Sequence, residues 1–181
     1  MDKPKEDIVV TRRRSPGELA WNVFATYGLS IFWVIIAVAI LKAALGQGSV
    51  FAQFPKVSVI FSWLPHFPQV EEVLAKSFGL SLFMTLVFAP FVEEAIFRML
   101  PLTFVVGRHP DKVRAVVIVI CGIFFGMAHG HPLKVFIQGF LGMMLGFLYV
   151  KNHNSQFKAY ISCVIVHAMY NYTILMVSVL G

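Results

Sequence analysis

Five long apolar runs decide what this chain can become. A helix needs roughly 20 apolar residues to cross about 30 Å of hydrocarbon. Runs of that kind cover Ala20–Leu45, about Val73–Val106, Val113–Gly130, Leu133–Val150 and Phe157–Leu180. Inside lipid every backbone polar group must be satisfied within the chain, so runs of this length are helices. Composition agrees: 58% of residues are hydrophobic and 13% charged, against roughly 45–50% and about 25% in a soluble domain. The expected fold is all-α, a polytopic membrane helix bundle of five spans. It has six helices if the 73–106 run is split at Pro90 and Pro101, because proline kinks a membrane helix or opens its hydrogen-bond ladder.

The polar stretches organise the rest. Residues 1–19 read as a basic tail and 20–45 as a membrane anchor. The first apolar run is too long for a signal-peptide core, so it should be retained. Residues 46–72 read as a loop broken by GQG, Pro55, Pro65 and Pro68, whose VSVIFSW patch suits an interfacial segment. Residues 73–181 form the main bundle. Under five spans, Lys3, Lys5, Arg12, Arg13, Arg14, Arg108, Lys112, Arg114, Lys151 and Lys158 share one side, against Lys56, Lys76 and Lys134 on the other. The positive-inside rule makes the first side, with the N-terminus, cytoplasmic. The formal charge of +6 is then a topology signal reinforced by anionic lipid, and TRRR is not read as a nucleic-acid site. Cys121 and Cys163 lie in apolar runs and read as small buried hydrophobes.

Against this background FVEEAIFRML, residues 91–100, stands out. Charges at membrane depth cost at least a few kcal/mol each and usually mark function. Membrane depth selects Glu93, Glu94, Arg98, His129, His167 and Asn171. Glu94 and Arg98 are i,i+4 and can neutralise each other; Glu93 points about 100° away. His167 and Asn171 repeat that spacing on the last run, as do Phe125 and His129 on the fourth helix expected from a split chain. Three helices thus carry a polar face, and burying all three requires that they meet. Gly122, Gly126 and Gly130, and Gly142 with Gly146, are small-xxx-small positions that read as helix packing.

A carboxylate in an apolar cavity is a stronger base than one in water. With one histidine to hold a water, and a second histidine and an amide to meet an oxyanion, the set suits amide hydrolysis. A structural polar network or a proton path uses the same residues, and spacing alone leaves these open. No GxSxG elbow is present, no GxGD appears, and the paired repeats of many transporters are missing.

The motifs themselves resemble a family. EEAIFR fits EExxxR, FGMAH fits FxxxH, HAMYN fits HxxxN, and QGFLGMMLG is similar to a glycine-rich segment between the last two. In this order they resemble the CPBP (Abi) intramembrane proteases, which include the type II CAAX prenyl endopeptidases, over about Ser77–Leu180. The resemblance implies a membrane-embedded peptidase in which Glu93 activates water, His129 assists, His167 and Asn171 stabilise the oxyanion, and Glu94 with Arg98 forms a supporting ion pair. It implies a peptide or protein substrate, membrane-associated and in one branch prenylated, with membrane lipid as the other partner. Some members are instead linked to bacteriocin immunity or serve as scaffolds. The family has been described both as metalloproteases and as glutamic proteases. Glu93, His129 and His167 could ligate zinc, but no HExxH helix favours it, and the reading adopted is a site without a cofactor. The short bundle and basic tail suit a prokaryotic inner membrane.

Overall fold

The computed structural model describes residues 14–45, 77–130 and 132–180. Residues 1–13 of the tail expected over 1–19, the 46–72 loop with its interfacial segment, the start of the next run at 73–76, His131 and Gly181 lie outside the described residues. Five helical runs account for nearly all of the rest, and no strand occurs among the described residues. They are α1 (Pro16–Leu45), α2 (consecutive pieces from Phe78–Phe83 to Leu100–Val105), α3 (Asp111–Met127), α4 (Val135–Gly139 running into Phe140–Lys151) and α5 (Gln156–Leu180).

Local chemistry explains the boundaries. The first helix starts at Pro16 rather than at Ala20, because Ser15 and Glu18 form a capping box. The Ser15 N–H donates to Glu18 Oε2 at 2.9 Å and the Glu18 N–H to Ser15 Oγ at 3.2 Å. Pro16 sits where a missing N–H costs nothing. Ser77 caps α2 by accepting from the Leu80 N–H at 3.3 Å. Between α2 and α3, and again after α3, the chain turns at Gly107 and Gly130, whose φ values of 80° and 87° favour glycine.

The split expected at Pro90 and Pro101 does not occur. The run from 78 to 105 stays helical throughout because each proline follows a wide π turn, Met84–Phe88 before Pro90 and Ala95–Met99 before Pro101. A proline ring clashes with the carbonyl four residues back, here those of Leu86 and Phe97. Both carbonyls lie inside the π turns, whose extra width accommodates the ring without breaking the helix.

Among the described residues three helices are long and apolar enough to cross a membrane (Pro16–Leu41, Gly79–Val105 and Gln156–Val177), and the apolar Val135–Lys151 is shorter. The outer faces of α1, α2 and α3 carry exposed Phe24, Phe32, Ile35, Phe104 and Phe124, as lipid contact requires. The interior is built from Leu102, Phe125, Leu141, Leu145, Tyr149 and Cys163. α1 lies against α4 and α5. The start of α1 meets the end of α4 through Asn22 Nδ2 to Asn152 Oδ1, 2.9 Å. Thr103 near the end of α2 bonds Tyr149 near the end of α4, 3.0 Å between hydroxyls.

α3 and α4 pack closest. A Cβ added at Gly126 would lie 2.5 Å from the Val135 Cα, and one at Gly122 would lie 2.8 Å from the Gly139 carbonyl oxygen. This is backbone-to-backbone contact of the kind small residues permit in membranes.

Candidate active site

α2 supplies the first three groups. Glu94 and Arg98 are both fully buried, with Arg98 Nη1 3.1 Å from Glu94 Oε1. A guanidinium at membrane depth needs more than one charge partner. The Phe125 ring provides a second contact, 4.2 Å from its centroid to the guanidinium carbon, a favourable cation–π placement. Space for the group comes from Gly142 on α4, where a Cβ would stand 2.8 Å from Arg98 Nη2. One glycine of the QGFLGMMLG stretch therefore serves the ion pair as well as helix packing.

Phe125 also orders the histidines. Its ring meets that of His129 edge-on at 4.6 Å between centroids and that of His167 at 5.5 Å. Its carbonyl accepts from His129 Nδ1 at 2.7 Å. A carbonyl can only accept, so the Nδ1 proton is fixed and Nε2 turns the other way. That Nε2 lies 4.0 Å from Glu93 Oε2. His167 is placed by α5, with Nδ1 on Glu94 Oε1 at 2.8 Å and Nε2 3.7 Å from Glu93 Oε2. Glu93, Glu94, Arg98, His129 and His167 thus form one buried cluster, drawn from α2, the turn that closes α3, and α5. His167 is its hinge, because it touches both glutamates.

Asn171 is held differently from what its spacing suggests. Expected to converge with His167 on one spot, it donates from Nδ2 to the Thr85 carbonyl at 3.0 Å. The backbone explains this. Within the π turn the Ala89 N–H bonds the Met84 carbonyl, and the next N–H is missing because residue 90 is proline. The Thr85 carbonyl is left without a helical partner, and a buried carbonyl without one costs about 1–3 kcal/mol. Asn171 supplies the donor. A proline on one helix and an amide on another are therefore a matched pair.

A described pattern matches this chain. The family model for Type II CAAX prenyl endopeptidase Rce1-like covers residues 75–173, more than half of the sequence and all of the cluster. The chain belongs to this family. Membership makes it a CAAX-type intramembrane protease in general terms, a membrane protein acting on a peptide or protein. No curated protein and no solved structure matches it.

The donor set can be tested against zinc. Tetrahedral zinc with ligands at about 2.0–2.1 Å places donor atoms roughly 3.3 Å apart. The Glu93–His129 and Glu93–His167 separations of 4.0 and 3.7 Å are wider. Among the described residues no group of three or more His, Cys, Asp and Glu side chains is gathered for a metal ion. In this geometry the glutamate stands farther from each histidine than bound zinc would hold it.

Three contributors escaped the sequence reading. Phe125 was visible only as the start of FxxxH, and nothing in the spacing announces a ring that touches Arg98 and both histidines. Thr85 acts through its backbone, which side-chain motifs do not encode. Lys134, counted only as a topology charge, is buried at the start of α4.

Proposed function

We propose that the cluster hydrolyses a peptide bond with Glu93 as general base and no metal, at a protein substrate that is itself membrane-associated. The observation that carries this reading is the convergence of two imidazole Nε2 atoms on Glu93 Oε2, at 4.0 and 3.7 Å. A water held about 2.8 Å from the carboxylate and from one Nε2 would subtend roughly 85–90°, close enough to its natural angle for two good bonds. With Nδ1 of His129 committed to the Phe125 carbonyl, its neutral Nε2 is an acceptor. Carboxylate and imidazole then both accept from one water and leave its lone pair directed at the substrate carbonyl. Glu93 takes the proton as the carbon–oxygen bond forms, and returns it to the leaving amine as the carbon–nitrogen bond breaks.

The neighbours have separate duties. Glu94, ion-paired to Arg98, accepts from His167 Nδ1 and so orients that ring and supports a positive charge on it. His167 in its protonated form donates from Nε2 to the developing oxyanion. Asn171 carries two N–H groups; one serves Thr85 and the second is the other oxyanion donor. Prenylation of the substrate is consistent with the family name and with the lipid-facing helices. The basic ends of α1, α3 and α5 support a cytoplasmic N-terminus, and the small bundle a prokaryotic inner membrane.

The test is hydrolysis of a quenched, lipid-anchored peptide by purified protein in liposomes. Activity that survives chelation and dialysis supports the metal-free site. Loss that zinc restores would overturn it, and a folded protein inactive on every peptide would instead favour a binding role.

A further inference from the structure

A polar cleft that shares no residue with the buried cluster lies where α1 begins and α4 ends. It encloses about 540 Å³ and is lined by Arg14, Glu18, Trp21, Asn22, Lys151 and Asn154. That volume is in the range of small-molecule sites, roughly 300–1,000 Å³, and exceeds what a bare phosphate needs.

Among the described residues its charges are not balanced. Glu18 accepts from the Ser15 backbone N–H at 2.9 Å, which commits its carboxylate to the start of α1. Arg14 and Lys151 form no ion pair with another described residue; the described Lys/Arg pairs are Arg98–Glu94 and Arg114–Asp111. Two cations therefore face one carboxylate that is already engaged. The floor is amide: Asn22 is buried and donates to buried Asn152, whose own Nδ2 has no acceptor. A polar floor beneath two cations suits an anion that brings several oxygens.

Depth points to the source of that anion. The cleft opens beside Trp21, which is 70% exposed and stands in the first turns of an apolar span. An exposed tryptophan there marks the level of lipid headgroups.

We propose that this cleft binds a phosphate-bearing headgroup of an anionic phospholipid, with Arg14 and Lys151 on the phosphate, Asn22 and Asn154 on the remaining polar atoms, and Trp21 against the start of the acyl chains. Binding would fix the first helix against the turn after α4, independently of any hydrolysis at Glu93.

Native mass spectrometry of the full chain in detergent tests this, with phosphatidylglycerol, phosphatidylcholine and inorganic phosphate as probes. Each Lys or Arg at an anionic surface is worth about fivefold in affinity. Arg14→Gln with Lys151→Gln should weaken phosphatidylglycerol binding roughly thirtyfold. The equally discharged pair Arg108→Gln with Lys112→Gln, away from the cleft, should leave it unchanged. The charge-conserving pair Arg14→Lys with Lys151→Arg should retain binding, which separates loss of charge from loss of fold. Displacement of the lipid by inorganic phosphate would assign the cleft to free phosphate compounds, and resistance to displacement to lipid. Equal binding of phosphatidylcholine, or equal loss in the two discharged pairs, would overturn the proposal.

Discussion

Two seams hold this bundle together, and they are made of opposite materials. Along the first, α2, the turn after α3 and α5 meet through Glu93, Glu94, Arg98, His129 and His167, all buried. Along the second, α3 and α4 meet through Gly122, Gly126, Gly139, Gly142 and Gly146, where an added Cβ would strike neighbouring atoms. The polar seam is held by charge and hydrogen bonds, the glycine seam by backbone contact. They join at Phe125 and Arg98: Phe125 lies between Gly122 and Gly126, and the Arg98 guanidinium occupies space that a side chain at position 142 would crowd. The chemistry of one seam depends on the closeness of the other.

The comparison can be broken most severely at Glu94. Glu94→Gln should cost about 3–5 kcal/mol of stability, because Arg98 is left buried without its charge partner and His167 keeps only a neutral amide oxygen as its acceptor. Thermal unfolding in detergent measures this, and removing Arg98 as well should recover part of the loss. An unchanged midpoint would mean that the ion pair does not hold the seam.

Asn171→Ala tests where the polar seam turns from structure to catalysis. Loss of one oxyanion donor should lower kcat by about 10²–10³ with KM within a few fold. A variant that is less stable by about 1–3 kcal/mol yet kinetically normal per folded molecule would leave Asn171 only as the partner of the Thr85 carbonyl.

The glycine seam should respond to shape alone. Gly126→Ala places a methyl 2.5 Å from the Val135 Cα, so the backbone must move, at about 1–3 kcal/mol. The smallest effect is expected at Gly28 in α1, where an added Cβ meets nothing within 4 Å. Gly28→Ala should be neutral or stabilising by up to about 1 kcal/mol. Equal losses at Gly126 and Gly28 would remove the distinction between a seam glycine and a lipid-facing one.

Much of this was legible in the sequence, for identifiable reasons. Long apolar runs report the solvent, so the all-α membrane bundle follows from them. Glu93, Glu94, Arg98, His129 and His167 were legible because ionisable side chains at membrane depth are costly and must meet. The continuity of α2 was not legible, because a proline reads as a break and the π turn that absorbs it has no side-chain signature. The link from Asn171 to Thr85 was hidden for the same reason, since it answers a carbonyl that only this backbone geometry orphans. Gly142 was visible as a packing residue, but its second neighbour, Arg98, is set by three-dimensional placement.

The division of labour between the two adjacent glutamates is the centre of the account, and one paired measurement addresses it. Glu93→Gln keeps the shape of the side chain and removes only its ability to take a proton. Hydrolysis of the lipid-anchored peptide and thermal unfolding should be recorded on the same purified Glu93→Gln sample, beside wild type. The expected result is a rate loss of about 10²–10⁴ with stability within about 1 kcal/mol, since Arg98 and His167 keep Glu94. A Glu93→Gln protein that remains active, with a folded but inactive Glu94→Gln, would contradict it and exchange the roles of the two residues.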